Sequence, residues 1–122
     1  KSPRILQTES NDGGRNWSTA VATELKNPEA GIAMTRLRKG HLVLIFNDSG
    51  VARTPLNITR SLDEGRTWES QLALESNPGE YSYPCVIQSS DGRIHVTYTF
   101  RRYTIKHVEL DESWLIHLDR PN

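Results

Sequence analysis

Two short segments of the chain contain aspartates whose neighbours suggest a chemical role. They span residues 10–17 and 61–68, and both follow the pattern S-x-D-x-G-R-x-W, 51 positions apart. A carboxylate could bind a cation here, but a D-x-G segment supplies too few oxygen ligands for calcium. It can instead accept backbone N–H bonds within its own tight turn, where glycine adopts positive φ. The motifs therefore predict two structural turns, formed by Ser10, Asp12, Gly14 and Trp17 and by Ser61, Asp63, Gly65 and Trp68.

The composition argues against several classes of partner and cofactor. The 122 residues include 15 Lys or Arg and 15 Asp or Glu, so a nucleic acid or an anionic membrane is not expected as partner. The longest apolar run, Leu42–Phe46, is far shorter than the roughly 20 residues of a membrane-spanning helix. A single cysteine excludes an internal disulfide, and we expect Cys85 to be a small buried hydrophobe. No metal, nucleotide or flavin motif occurs, so no cofactor is expected. Among the histidines, His107 is expected in the interior, and His41 and His95 on strand surfaces.

Hydrophobic periodicity and turn signals predict nine short antiparallel strands. Ile94, Val96, Tyr98 and Phe100 alternate with polar residues after an Asp-Gly pair, which is a strong hairpin signal. The strands are predicted at residues 5–9, 18–25, 31–37, 41–46, 55–60, 68–75, 83–88 and 93–100, with a last strand ending at residue 110. We expect the tryptophan of each S-x-D-x-G-R-x-W motif to place its ring between strands.

The nine strands divide into groups of two, four and three. Four short antiparallel strands in roughly 50 residues is the period of a propeller blade. We therefore expect residues 1–26 to end one blade, 27–76 to form a complete blade and 77–110 to begin the next. Residues 111–122 form a tail with a short predicted helix from Asp111, its N-cap, to Leu118. Its inner face is predicted to carry Trp114, Leu115 and Leu118.

The repeated motif resembles the Asp-box of the sialidase-like, BNR-repeat superfamily. The stretches GEYSYP at 79–84, IHVTYT at 94–99 and IKHV at 105–108 are similar to the C-terminal blades of bacterial sialidase-like proteins. The resemblance covers essentially the whole chain and implies an all-β fold, about two blades of a six-bladed β-propeller. An intact member would be roughly three times as long. Because Lys1 follows neither an initiator methionine nor a signal peptide, we expect that the chain has been cut or processed upstream.

The resemblance also implies a tyrosine in a substrate site. Sialidases are glycosidases that use tyrosine rather than a carboxylate as nucleophile, because a carboxylate would be repelled by an anionic sugar. The turn Gly79–Ser82 resembles the one that carries this nucleophile, which implies Tyr81 as first choice and Tyr83 as second. Glu80 is a candidate polarising base, although neighbours on a strand point to opposite faces. In the family the Asp-box lies on the face away from the active site, so its aspartates are expected to be structural.

Arginines are the second group that the resemblance assigns to the site. Arg53 lies in a loop one blade before the tyrosine, where the family has an arginine that grips the substrate carboxylate. Arg101 and Arg102 lie on the corresponding loop of the next blade, and the sequence leaves open which of them faces the cavity. Arginine suits this task because its planar guanidinium binds a carboxylate bidentately. The Tyr83-Pro84 pair departs from the family pattern and leaves the identity of the sugar open.

The function implied by the resemblance is that of the C-terminal part of a sialidase-like glycoside hydrolase. It would be of the exo-α-sialidase type and act on terminal, acidic glycan sugars, with a periplasmic or secreted location. The acid/base aspartate and the first arginine would come from earlier blades, so this segment alone is expected to be inactive. The expected partners are a glycan and either the remaining blades or further copies of the chain.

Two other functions are compatible with the same sequence. The first is a carbohydrate-binding module that closes a ring by threefold association, with Tyr98, Phe100 and Tyr103 as stacking platforms. The predicted nine strands speak against it, because one strand per chain would be left over. The second is a noncatalytic propeller that binds proteins, which differs from the hydrolase only in its pocket residues.

Overall fold

Three successive antiparallel sheets form the body of the protein. A computed structural model describes residues 3–69 and 71–116. In these residues the strands are β1 (Arg4–Gln7), β2 (Val21–Lys26), β3 (Ala33–Arg36), β4 (Leu42–Phe46), β5 (Leu56–Ser61), β6 (Leu72–Glu75), β7 (Tyr81–Gln88), β8 (Ile94–Phe100) and β9 (Thr104–Leu110). The sheets are β1-β2, β3-β4-β5-β6 and β7-β8-β9. The predicted all-β class and the grouping of two, four and three strands are confirmed.

The middle sheet is the best buried of the three. All residues of β4 and β5 are buried, because these two strands form the centre of the four-stranded sheet and are covered on both faces. The register pairs Leu42 with Ser61 and Phe46 with Asn57. The run of apolar residues in β4 is therefore a two-sided buried strand, as such runs usually are.

The main hydrophobic core lies between the middle sheet and the last sheet. One face of β8 carries Ile94, Val96 and Tyr98, which are at most 1% exposed. These residues pack with buried side chains of the middle sheet and of β7 in one cluster that includes Val43, Ile45, Leu56, Ile58, Tyr81 and Val86. The opposite face of the last sheet is uncovered in the described part of the chain. That face carries Cys85 and His107, so the expectation that both are interior residues was wrong.

The first sheet packs less closely against the middle sheet than the last sheet packs against it. A concavity of about 390 Å³ opens between them, with an apolar lining that includes Leu6, Leu25, Leu42 and Trp68. Trp68 is partly buried on this side, whereas Trp17 is 61% exposed. The expectation that Trp17 fills a space between strands was therefore wrong, because no described residue covers its outer face.

The two Asp-box turns have the hydrogen bonds that their sequence predicts. In the second turn, the Ser61 hydroxyl donates to the Asp63 carboxylate at 2.8 Å and accepts the Gly65 N–H at 2.8 Å. The Asp63 carboxylate also accepts the Thr67 N–H at 2.8 Å and the Thr67 hydroxyl. Gly65 has φ of +83°, which a residue with a Cβ rarely adopts. Each turn thus closes on its own carboxylate.

The first Asp-box repeats this arrangement with an asparagine in place of Thr67. The Asp12 carboxylate accepts the backbone N–H of Asn16 at 2.9 Å and its side-chain amide at 2.7 Å. Hydrogen bonds from Asn16 lower the pKa of Asp12 to about 2, and hydrogen bonds from Thr67 lower the pKa of Asp63 to about 2, from 3.8. Both carboxylates are therefore charged in the folded protein at neutral pH.

The C-terminal tail begins with the short helix α1 (Glu112–Ile116), and this helix contacts the middle sheet through Glu112. The Asp111 carboxylate caps the helix by accepting the Ser113 N–H at 2.9 Å. Glu112 accepts hydrogen bonds from His41 at 2.6 Å and from the buried Arg60 at 2.9 Å. Burial alone would raise the pKa of Glu112, but these two bonds outweigh burial and hold it below its usual range.

The predicted inner face of this helix is only partly confirmed. Leu115 is 2% exposed, but Trp114 is 52% exposed, so its assignment to the inner face was wrong. Leu118 and the predicted end of the helix lie outside the described residues. No helix among the described residues has the length and apolar character to cross a membrane.

The lowered pKa of Asp63 predicts a specific loss of stability in acid. A carboxylate whose pKa is lower in the folded state stabilises the fold above its unfolded pKa and loses that effect as the pH falls through the folded pKa. We expect Asp63→Asn to lower the urea midpoint at pH 7, and we expect its difference from wild type to shrink between pH 4 and pH 2. Urea unfolding at several pH values measures this. Parallel pH curves for the two proteins would contradict it.

Candidate functional site

The residues that the resemblance assigned to a site lie at one end of the middle and last sheets. Arg53 belongs to the loop between β4 and β5, Tyr81 begins β7, and the turn from β8 to β9 contains Arg101 and Arg102. The second Asp-box follows the other end of β5, at Ser61. The candidate site and that Asp-box are therefore separated by the length of a strand.

Tyr81 is anchored by both its backbone and its side chain. Its N–H donates to the carbonyl of Arg53 at 2.9 Å, and its carbonyl accepts the side-chain amide of Asn47 at 3.0 Å. The residue is 0% exposed, and its ring lies 5.4 Å from that of Phe100. The hydroxyl donates to the carbonyl of Pro78 at 3.3 Å and accepts Nε of Arg101 at 3.2 Å. Tyr81 therefore joins the two sheets beneath the site surface.

Asn47 is a residue of the site that sequence reasoning missed. It follows β4 directly, is 0% exposed, and donates from its amide nitrogen to the carbonyls of Pro55 and Tyr81, both at 3.0 Å. Its amide oxygen is buried and has no hydrogen-bond partner among the described residues. The only sequence signal was a polar amide placed immediately after five apolar residues. Asn47 holds the Arg53 loop against the start of β7.

Tyr83 differs from Tyr81 in exposure although both are on β7. A β-bulge between Ser82 and Cys85 shifts the register, and Tyr83 has φ of +51°, a left-handed conformation that is rare for an aromatic residue. As a result Tyr83 is 69% exposed. The guanidinium carbon of Arg53 lies 5.5 Å from the centre of the Tyr83 ring, within the range of a cation–π contact. The accessible phenol and Arg53 thus form one surface feature.

The adjacent residues Arg101 and Arg102 both have left-handed backbone conformations, with φ of +53° and +66°. The guanidinium of Arg101 turns towards Phe100, 5.3 Å from the ring centre, and its hydrogen bond with the Tyr81 hydroxyl raises its pKa. The side chain of Arg102 is 76% exposed and its Nε lies 3.4 Å from the Glu80 carboxylate. The left-handed backbone of this turn thus directs the side chain of Arg101 towards Tyr81 and that of Arg102 towards Glu80.

Glu80 has a different neighbour from the one that a polarising base would need. Its carboxylate contacts Arg102, whereas the Tyr81 hydroxyl contacts Pro78 and Arg101. Successive residues at the start of a strand point to opposite faces, which explains the separation. The site as described therefore combines exposed phenol and guanidinium groups, a combination suited to binding an anionic ligand.

A second tyrosine–glutamate pair lies deeper, and the sequence gave no reason to expect it. The hydroxyl of Tyr98 donates to Glu75 at 2.6 Å, and the Lys106 ammonium donates to the same carboxylate oxygen at 2.6 Å. Burial, and then the bond to Glu75, raise the pKa of Tyr98 above its usual value. Tyr98 is 1% exposed, so it is not the stacking platform that the binding-module alternative required. The pair supports the fold beneath the Arg101–Arg102 turn.

Across residues 3–69 and 71–116, no three His, Cys, Asp or Glu side chains are grouped so that they could enclose a metal ion.

Comparison with known proteins gives both a family and a fold. A family model described as a BNR repeat-like domain matches residues 1–96. No curated protein matches the chain. A leech intramolecular trans-sialidase, solved with 2,7-anhydro-Neu5Ac, is 19% identical, with a TM-score of 0.81 over 96% of this chain and 21% of that protein.

Two microbial proteins give similar superpositions. The Hadza microbial sialidase Hz136 is 20% identical, with a TM-score of 0.77 over 93% of this chain and 24% of that protein. The intramolecular trans-sialidase from Ruminococcus gnavus, solved with oseltamivir carboxylate, is 18% identical, with a TM-score of 0.78 over 93% of this chain and 29% of that protein. The chain thus has the fold of part of a sialidase-type β-propeller and spans less than a third of these structures.

The close approach of Gly79 to Tyr81 gives a stability prediction. Gly79 has φ of +148°, and a Cβ there would lie 3.0 Å from the Tyr81 hydroxyl oxygen. Gly40 has φ of +100° and open space around it. Gly40→Ala therefore measures backbone strain alone, and we expect Gly79→Ala to cost about 1–3 kcal/mol more in the free energy of unfolding. Equal losses in urea unfolding of the two variants would show that the contact is not tight.

Proposed function

The chain belongs to the BNR repeat-like domain family, and on this premise we propose that it forms the C-terminal part of a sialidase-like glycoside hydrolase. In this proposal the described end of the middle and last sheets contributes a phenol and guanidinium groups to a site for terminal, acidic sugars. The observation that supports it most directly is the guanidinium of Arg53, 5.5 Å from the ring of the exposed Tyr83.

The pairing of phenol and guanidinium suits an anionic sugar. A carboxylate nucleophile would be repelled by the sugar's own carboxylate, whereas a neutral phenol can approach and lose its proton as it attacks. A guanidinium can bind the sugar carboxylate with two parallel hydrogen bonds. Arg53 is the first candidate for this contact, because its partner in the structure is an aromatic face rather than a carboxylate.

The difference in exposure supports different roles for Tyr81 and Tyr83 in the proposed site. Tyr83 is 69% exposed and can meet a ligand from solvent, whereas Tyr81 is 0% exposed. We therefore favour Tyr83 as the phenol that contacts the sugar and Tyr81 as the residue that holds Arg101 through its hydroxyl. Glu80 and Arg102 form an exposed pair beside them, where the arginine adds positive charge and the glutamate is a candidate base.

A carbohydrate-binding module is the second candidate function. It is favoured by a different observation, the exposed rings of Tyr83 and Tyr103, which are 69% and 72% exposed. Flat exposed aromatic rings present large contact areas at little cost in side-chain entropy. In this case the sugar would be held by stacking, and its charge would matter little. Under either function the uncovered face of the last sheet would be closed by further blades or by another copy of the chain.

Two ligands that differ in charge distinguish the hydrolase site from the carbohydrate-binding module. We expect N-acetylneuraminic acid to shift the NMR signals of Tyr83 and Arg53 and its uncharged methyl ester to bind at least about fivefold more weakly. Arg53→Lys should weaken acid binding by a similar factor, because lysine lacks the planar fork. Arg66 is an exposed residue of the second Asp-box, so Arg66→Lys is the matched control and should leave binding unchanged.

Two results would contradict the hydrolase site. If the acid and the ester bind equally well, stacking rather than carboxylate recognition holds the sugar, and the binding-module function gains. If the acid produces no shifts at Tyr83 or Arg53, or if Arg53→Lys and Arg66→Lys have the same effect, Arg53 does not bind the carboxylate.

A further inference from the structure

The ring of Phe100 lies between the buried core and the turn that carries the site arginines. Phe100 is the last residue of β8, and it pairs with Tyr81 on β7 and with Thr104 on β9. Its side chain is partly buried and packs against the core, on the same face of β8 as Tyr98. The ring therefore belongs to a packed strand, directly before the left-handed residues of the turn.

Two cations and two phenol rings surround the ring of Phe100. The guanidinium carbon of Arg101 lies 5.3 Å from the ring centre and the Lys106 ammonium nitrogen 5.2 Å from it, both within the range of a cation–π contact. The ring of Tyr81 lies 5.4 Å away, and that of Tyr103 lies 6.0 Å away at 85° to it. The negative face of an aromatic ring attracts cations, whereas an aliphatic side chain of similar size does not.

Lys106 and Arg101 differ in their other contacts. The Lys106 ammonium donates to the buried Glu75 carboxylate at 2.6 Å, so it has an ionic partner besides the ring. Arg101 is held by two uncharged groups, the ring of Phe100 and the hydroxyl of Tyr81, which lies 3.2 Å from Nε. Nε–H is one of five N–H donors in the planar guanidinium, so the bond to Tyr81 leaves other donors for the carboxylate of a ligand.

We propose that Phe100 is the positioning residue that holds the Arg101 guanidinium ready for an anionic sugar. This inference rests on the proposed function, in which the site takes a terminal, acidic sugar. A long arginine side chain loses rotamer freedom when it binds a ligand, and that loss weakens binding. Contact with the face of the Phe100 ring restricts Arg101 beforehand, so the sugar carboxylate meets an oriented guanidinium. Phe100 acts through Arg101 and does not itself contact the sugar.

Fluorination of the Phe100 ring tests the role of its π face. Fluorine atoms withdraw electrons from the face and change the ring's shape little, so they weaken the cation–π contact and retain the packing. We expect a trifluorinated phenylalanine at position 100 to weaken binding of N-acetylneuraminic acid about two- to fivefold and to leave binding of its uncharged methyl ester unchanged. Without ligand, the Arg101 Nε–H should exchange with water faster by a similar factor, which NMR measures directly.

The other phenylalanine of the chain, Phe46, offers a matched control. It is 0% exposed in β4, and within the described residues no arginine or lysine lies over its ring. Fluorination of Phe46 should therefore leave binding of both the acid and the ester as in wild type. A second control, Arg101→Gln, separates the arginine from Lys106, which contacts the same ring. In that background we expect fluorination of Phe100 to have no effect on the remaining acid binding.

Three results would overturn the role of Phe100. They are an equal weakening of acid and ester binding by fluorination of Phe100, an effect on acid binding that persists in Arg101→Gln, and an unchanged exchange rate of the Arg101 Nε–H. If wild type does not bind the acid, the proposed function fails, and the exchange rate of the Nε–H then decides by itself whether Phe100 holds Arg101.

Discussion

The backbone of Tyr81 is the interaction on which the candidate site depends. Its N–H bonds to the carbonyl of Arg53, and its carbonyl bonds to the amide of Asn47. These two bonds cross from the last sheet to the middle sheet at the end where the assigned residues lie. Because both are buried, their loss would leave polar groups without partners, which costs more than the bonds themselves contribute. The geometry of Arg53 relative to the tyrosines follows from this anchor.

Strain is concentrated around the same anchor. Tyr83, Arg101 and Arg102 all have left-handed backbone conformations, which cost of order 1 kcal/mol or more each and persist only where the surrounding structure enforces them. The core between the middle and last sheets supplies that support through buried strands and the Glu75–Tyr98–Lys106 contacts. The buried strands thus hold these three residues in unfavourable backbone conformations, and the same residues carry exposed phenol and guanidinium groups.

The sequence predicted the fold well because the signals for strands and turns are local. Alternation in β8, the Asp-Gly hairpin and the two Asp-boxes each depend on a few neighbouring residues. All nine predicted strands occur, with bounds that differ from the predicted ones by a few residues. The site was less accessible to such reasoning. Tyr81 and Tyr83 have the same parity along β7, so simple alternation puts both on one face, but the bulge after Ser82 reverses the side of Tyr83 and of Cys85. The role of Asn47 depends on its hydrogen bond to the carbonyl of Tyr81, 34 residues away in sequence, and no local sequence pattern reveals such a contact.

Hydrogen exchange at the amide of Tyr81 tests this account most directly. If that N–H joins the two sheets beneath the candidate site, it should exchange only when the whole domain unfolds, at the rate of central amides such as that of Ile58 in β5. Protection of Tyr81 equal to that of Ile58 is the predicted result. Exchange as fast as that of the exposed Asp-box residue Asn11 would contradict it, because the Arg53 loop and the start of β7 would then not be held together.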